Sequence, residues 1–274
     1  MVIYHEVKDT IPCRDGLVGA WVASRALEDY DLLGRTYKMN ESGIYPDITS
    51  YKDVFLIDFH VPKSILQFWQ SQGVTIHVID HHDTTLSEVG DFADILLNRF
   101  RFDIRECGAT LAWKYFFGNQ PEPFFLRYIL DRDCWYKMLP DTEVIHSAFG
   151  KLLYKGSIEG AFSFLNSISR MNESEFFDFM LEVGKDNLVK RKEKISKIIG
   201  NRIKKGALKW VEIEGYRVPM ISLLVSHEVY RSDIAEWMYE TFDSEFVAVE
   251  KASGGISLRS KKKLQAFEDW YTNR

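Results

Sequence analysis

Short apolar runs alternate with longer stretches of helical periodicity over the first half of the chain, which is the signature of an α/β fold. Val2-Ile3-Tyr4, Asp53-Val54-Phe55-Leu56-Ile57-Asp58-Phe59 and Val74-Thr75-Ile76-His77-Val78-Ile79 read as strands, each short and mostly apolar. Such runs fit strands buried on both faces of a parallel sheet. Between the last two, Pro62 opens a helical pattern through Ile65, Leu66, Phe68 and Trp69, and Gly73 stops it. Strand, helix, strand is a crossover unit, so the two strands run parallel and their carboxyl ends share one edge. Val2-Ile3-Tyr4 brings His5 to the same edge if it is parallel as well.

A loop from Glu6 to Arg14 follows the first strand, and Asp15-Gly16 opens a helix reaching about Tyr30. Asp15 is a competent N-cap there. Gly16, Gly19 and Ala20 keep its first turn slim, so a backbone or a ligand can approach closely. Further helical patterns cover 106–117, a segment from Pro121 or Pro123 to Asp131, 142–151 and 158–168. The aromatic residues between 113 and 125 sit at helical spacing and belong to the core. A longer pattern, 173–203, is apolar on one side and charged elsewhere, as in a connector. After Gly206 the period shifts. Two strand patterns flank Glu214-Gly215, a hairpin signal, and a helix and two more strands follow. The expected organisation is a parallel-sheet domain over 1–172, a helical connector over 173–206 and a smaller α+β domain over 207–274.

Composition narrows the function. A net charge of -5 argues against a surface built for duplex nucleic acid. The three cysteines, Cys13, Cys107 and Cys134, form no Cys-x-x-Cys pair, so neither a disulfide framework nor a zinc site is expected, and a reducing cytoplasm is the default. No leader pattern is visible, and no stretch approaches the roughly 20 apolar residues of a membrane span.

The chemistry concentrates where the third strand ends, in Asp80-His81-His82-Asp83. With His5, Asp15, Asp58, Asp131 and Asp133 this makes a mixed imidazole and carboxylate set. Such a set suits Mn²⁺, or Mg²⁺ completed by substrate phosphate oxygens. Two ions about 3.5–4 Å apart serve hydrolytic phosphoryl transfer. Adjacent His81 and His82 in an extended chain point to opposite sides, so one can bind metal while the other meets substrate.

These residues resemble the DHH phosphoesterases, a family named for the triplet found here at Asp80-His81-His82. Three further motifs stand in order: His5 with Cys13-Arg14-Asp15-Gly16, Asp58 in Leu56-Ile57-Asp58, and Asp131-Arg132-Asp133-Cys134-Trp135. Gly254-Gly255-Ile256-Ser257-Leu258-Arg259-Ser260 resembles the associated DHHA1 substrate-binding domain. The resemblance implies that His5, Asp15 and Asp58 hold one metal, and that Asp58, His81 and Asp131 hold the other, with Asp58 as the bridge. It implies that His82 contacts phosphate and that Asp80 braces the strand end and the metal histidine. Asp133 reads as a second ligand or a helix-end cap, with a supporting role favoured. Gly254, Gly255, Ser257 and Arg259 would meet substrate, Arg259 as a fork donor to a phosphate or base.

The expected activity is metal-dependent hydrolysis of phosphodiester bonds in short oligonucleotides, single-stranded nucleic acid ends or a signalling nucleotide. A phosphomonoesterase and a catalytically weakened nucleotide-binding protein are the alternatives. Three departures bear on this choice. Leu17 stands where many members have a second metal aspartate, ten positions separate His5 from Asp15, and the family's Gly-Gly-Gly-His segment does not follow Ser260. His60, His77, His146 and His227 carry no partner pattern and read as structural or surface residues. Lys261-Lys262-Lys263 reads equally as a solvated run or as a nucleotide-steering patch. The sequence is compatible with an oligomer.

Overall fold

The computed structural model describes residues 1–8, 11–92, 96–153, 156–242, 244–252 and 254–260. Two compact units are present, Met1–Leu188 and a second beginning at Val189. The class is the expected α/β one.

The first unit is built on strands β1 (Val2–Lys8), β2 (Ile11–Pro12), β3 (Leu32–Arg35), β4 (Asp53–Ile57), β5 (Thr75–Asp80) and β6 (Phe100–Phe102). Five of them run parallel in the order β3-β1-β4-β5-β6, and β2 adds a short antiparallel pairing to the end of β1. Alternate residues of the central strands serve two cores. Val2, Tyr4, Phe55, Ile57 and Ile79 pack with Leu17, Val18 and Trp21 of helix α1 (Arg14–Ala26) on one face. Ile3, Val54, Leu56, Ile76 and Val78 pack with Leu66 and Trp69 on the other. A sheet covered on both faces needs apolar side chains at every position, which is why these strands do not alternate in polarity. The sequence order reverses between β1 and β4, so connections leave their carboxyl ends in opposite directions. Open α/β sheets bind ligands in the crevice at such a switch point.

Among the described residues between His5 and Asp15, two strand segments stand where a loop was expected. β1 continues to Lys8, the chain turns back as β2, and Cys13 N–H donates to the His5 carbonyl at 3.2 Å. A small excursion therefore returns the chain to its starting point, and the ten-residue spacing does not separate His5 from Asp15 in space. Gly16 permits the closure. A Cβ there would stand 2.6 Å from the His5 carbonyl oxygen.

The remaining helices of the first unit are α2 (Lys38–Ser42), α3 (Lys63–Ser71), α4 (Asp83–Val89), α5 (Gly108–Phe117), α6 (Leu126–Asp133), α7 (Thr142–Leu152) and α8 (Ile158–Ile168). α5 packs on α1 and on the β4 and β5 strands. Helix α9 (Glu173–Lys204) does not stand as a separate connector. Its Phe176 and Met180 belong to the core of the first unit, and its Ile195, Ile198 and Ile199 to that of the second.

The second unit is α+β, as expected. Strands β7 (Leu208–Ile213), β8 (Tyr216–Ser222), β9 (Phe246–Glu250) and β10 (Ile256–Ser260) form a mixed sheet in the order β10-β9-β8-β7, with helix α10 (Arg231–Thr241) crossing over between the parallel pair β8 and β9. Glu214 and Gly215 have φ of 50° and 80°. Left-handed backbone at both central residues matches the twist of the hairpin that joins β7 and β8.

Candidate metal centre

Three parallel strands deliver polar groups to one edge. His5 lies in β1, Asp58 follows β4, and Asp80-His81-His82 closes β5. Asp58 has φ of 55°, a left-handed conformation that turns the chain sharply off its strand. Its amide donates to the Ile79 carbonyl at 2.9 Å, which fixes the turn beside the triplet. Strained backbone of this kind gathers at functional sites.

Asp58 is the hub of the group. Its Oδ2 lies 3.4 Å from His5 Nδ1, and its Oδ1 lies 3.4 Å from His81 Nε2 and 3.7 Å from His82 Nδ1. His81 Nε2 is also 3.4 Å from Asp133 Oδ2 and 3.7 Å from Asp15 Oδ2. Three of these atoms, His5 Nδ1, Asp58 Oδ2 and His81 Nε2, are buried without a hydrogen-bond partner. Buried polar atoms are normally satisfied, and orphans that converge call for a ligand. Asp58 is 1% exposed. Burial works against its charge, but the imidazoles of His5 and His81 outweigh this and hold its carboxyl well below the usual range. Burial and the charges of Asp58 and Asp133 push Asp15 well above that range. Burial disfavours the His81 imidazolium, yet Asp58 and Asp15 prevail and push its pKa up to about 12. Close-set carboxylates with unpartnered imidazole nitrogens fit a divalent cation, which would neutralise the acids and occupy the orphaned lone pairs.

Asp15 does not cap its own helix, whose N-cap is Cys13. Its carboxylate instead accepts from Gly108 N–H at 2.5 Å and Ala109 N–H at 2.8 Å, at the start of α5. Asp58 and Asp15 press on that helix end so closely that a Cβ on Gly108 would lie 2.7 Å from Asp58 Cβ and 2.8 Å from Asp15 Oδ2.

Asp80 braces the strand end as expected, but the histidine it holds is His82. Asp80 Oδ1 accepts from the His81 amide at 2.7 Å and from His82 Nδ1 at 2.7 Å. With Nδ1 committed, His82 Nε2 is the nitrogen left for a ligand. Burial lowers its pKa, but Asp80 and Asp58 outweigh that and raise it to about 9. The second Asp80 oxygen accepts from the Thr85 hydroxyl. His60 Nδ1 lies 2.7 Å from the same hydroxyl, whose proton is already given to Asp80, so His60 is the donor. Tyr37 packs at a tilt against His5 and His60, at 5.0 and 5.2 Å between ring centres. Burial, with Asp80 and Asp58 nearby, pushes its phenol far up. Neither Thr85 nor Tyr37 has a sequence signal, and His60 is more than the isolated structural residue expected.

The fourth motif needs correction. Asp131, expected as a metal ligand, is not brought to the group. It is buried and accepts from Met138 N–H at 2.8 Å, Leu139 N–H at 3.4 Å and the Thr142 hydroxyl at 2.6 Å, holding the loop after α6. Asp133, expected in a supporting role, faces His81. Two residues along a helix turn through about 200°, so one of the pair faces the sheet edge and the other faces away. Leu17 is 1% exposed within the core and offers the site nothing.

Two of the three cysteines lie among the site residues. Distance in sequence hides their convergence: Cys13 shares a group with His5 and Asp58, and Cys134 shares one with His81 and Asp133, the donor atoms of each group lying within 4.8 Å of one another. Cys107 is fully buried under α5.

His77 is structural as expected, bonded to the Tyr115 hydroxyl at 2.6 Å and to Asp53 at 3.1 Å. In the second unit, Gly254 and Gly255 have φ of 92° and 80° in the turn before β10, and Arg259 pairs opposite Val247 with its charge acting on Tyr239. Ser257 lies opposite Val249 in the same ladder. Lys261-Lys262-Lys263 lies outside the described residues. No helix among the described residues is long and apolar enough to cross a membrane.

No family model matches the chain. An uncharacterised protein of Acanthamoeba polyphaga mimivirus is 31% identical over 148 residues, 54% of this chain and 32% of that protein, so the chain spans about a third of the length of this relative. A crystal structure of an uncharacterised protein from Helicobacter pylori aligns over 98% of this chain and 88% of that chain, at 11% identity and a TM-score of 0.38.

Proposed function

We propose that the protein is a metal-dependent phosphoesterase of the DHH type, hydrolysing phosphodiester bonds of short oligonucleotides, single-stranded nucleic acid ends or a signalling nucleotide. One observation carries the reading: the unpartnered, buried His5 Nδ1, Asp58 Oδ2 and His81 Nε2 converge at the carboxyl edge of a parallel sheet. In this reading His5, Asp15 and Asp58 would hold one divalent cation. Asp58, His81 and Asp133 would hold a second, Asp58 being shared and Asp133 taking the place first given to Asp131. The nitrogen and oxygen donors fit Mn²⁺, or Mg²⁺ joined by phosphate oxygens. When bound, the cations would supply Lewis acidity toward the phosphoryl oxygens. His82, aligned by Asp80, presents Nε2 to the phosphate and stabilises its developing charge. Gly254, Gly255, Ser257 and Arg259 would bind the nucleotide part.

The burial of Leu17 in the core favours a second reading, a nucleotide-binding protein with weakened catalysis, because it leaves fewer oxygen donors on the α1 side.

The test is a substrate panel, from dinucleotides to short single strands, with Mn²⁺ and with Mg²⁺, on the native protein and on Asp58→Ala. Metal-dependent cleavage that vanishes in the variant supports the phosphoesterase. Tight nucleotide binding without turnover selects the second reading. Equal turnover in both proteins overturns the site.

A further inference from the structure

The sheet edge carries a donor that the nitrogen and oxygen set leaves out. The antiparallel pairing of β2 with β1 brings Cys13 back against His5, their backbones joined by the 3.2 Å bond from Cys13 N–H to the His5 carbonyl. Cys13 Sγ, a His5 ring nitrogen and an Asp58 oxygen lie within 4.8 Å of one another. That spread suits atoms sharing one ion, since ligand bonds of about 2.0–2.3 Å set donors roughly 3–4.5 Å apart. The other two members point to a ligand by themselves. Asp58 Oδ2 and His5 Nδ1 are buried, 3.4 Å apart, and neither has a hydrogen-bond partner.

Cys13 is the N-cap of the 13-residue helix α1, and this places its sulfur at the sheet edge with His5 and Asp58. Cys134 differs. Its Sγ donates to the Glu106 carbonyl at 3.1 Å, a bond that needs the thiol proton. Cys107 is fully buried, accepts from the Thr110 hydroxyl at 3.6 Å and has Asp15 beside it.

We infer that Cys13 is a thiolate ligand to a divalent cation held with His5 and Asp58, in a mixed nitrogen, sulfur and oxygen site. Such a donor set selects a borderline ion, Zn²⁺, Co²⁺ or Fe²⁺, ahead of Mg²⁺ or Mn²⁺. The cation replaces the thiol proton, which leaves to solvent, so one proton is released per ion bound through this sulfur. The inference rests on reading the Asp58 cluster as a cation centre and changes which metal that centre takes.

Co²⁺ titration of the full chain tests it, read by near-ultraviolet absorption, where a sulfur-to-cobalt charge-transfer band reports thiolate ligation. The wild type and Cys134→Ser show the band. Cys13→Ser loses it, binds Co²⁺ about 10–100-fold more weakly, and gives up most of the Zn²⁺ preference in competition with Mn²⁺. Serine is a good N-cap, so helix α1 is retained, as circular dichroism checks. If Cys13→Ser nonetheless fails to fold, a band that persists in the double variant Cys107→Ser, Cys134→Ser assigns the sulfur to Cys13. Co²⁺ bound by the wild type without the band overturns Cys13 while leaving the centre. A band that survives in Cys13→Ser, or vanishes in Cys134→Ser, assigns the wrong cysteine. Failure of the wild type to bind Co²⁺, Zn²⁺ or Mn²⁺ overturns the centre itself, and the proposed function with it.

Discussion

Asp80 Oδ1 lies 2.7 Å from His82 Nδ1, and the same oxygen accepts the His81 amide at 2.7 Å. One carboxylate therefore fixes both the turn of the triplet and the face of its second imidazole. Asp80→Asn offers His82 an amide that cannot match a charged acceptor. Turnover is expected to fall about 10–100-fold while metal content stays near that of the wild type. Rate measurement beside elemental analysis checks this. Loss of metal in Asp80→Asn would mean that Asp80 itself is a ligand.

The two acids of α6 give opposite phenotypes. Asp131→Ala removes the charged acceptor shared by the Met138 and Leu139 amides and the Thr142 hydroxyl, at a cost of about 1–3 kcal/mol in all. Asp133→Ala removes a 30%-exposed side chain and is expected to change stability by no more than about 0.5 kcal/mol while weakening metal binding. Urea unfolding and metal titration on both variants separate the roles. The reverse pattern would restore Asp131 as the ligand.

Gly108→Ala tests the closeness of α5 to the site. The new methyl meets Asp58 Cβ and Asp15 Oδ2, and neither can retreat from its buried position. A loss of about 1–3 kcal/mol is expected, the range for forcing atoms into a packed interior, together with weaker metal binding. Gly118→Ala is the contrast. Its strain comes from a φ of 62° alone, with open space around the added carbon, so stability falls but metal binding does not.

His77 gives a pH dependence away from the cluster. Burial lowers its pKa from the ordinary 6.5, against the opposing pull of Asp53. The unfolded chain then takes up the proton first as pH falls, so its acquisition favours unfolding. The His77 contribution is a loss of stability below about pH 6.5, absent at higher pH. His77→Gln is expected to lose less stability than the wild type between about pH 8 and about pH 5.5, measured by urea unfolding. An identical acid loss in both would assign it to other groups.

The strands were legible because burial on both faces leaves an unbroken apolar run, and through backbone need Gly73 marked the end of the helix before β5 and Glu214-Gly215 the turn of a hairpin. Short elements such as β3 and β6 were not. Leu32–Arg35 and Phe100–Phe102 owe their extended form to pairing with a neighbour rather than to any period of their own. At the site, His5, Asp58 and Asp80 to His82 followed from strand ends. Whether Asp131 or Asp133 faces inward depends on the rotation of α6 about its axis, which five motif residues cannot specify. Cys13, Thr85 and Tyr37 enter through closure of the chain in space, for which the sequence carries no local mark.

Asp15 and Gly108 stand 93 residues apart, yet neither the acid nor the helix end is satisfied without the other. A chain emerging at about 5–20 residues per second makes Asp15 many seconds before its partners exist. Until then the first helix has a carboxylate to bury and nothing to bury it against. The centre thus comes into being late, once more than a third of the polypeptide has been made, and no amino-terminal fragment ending before α5 can assemble it.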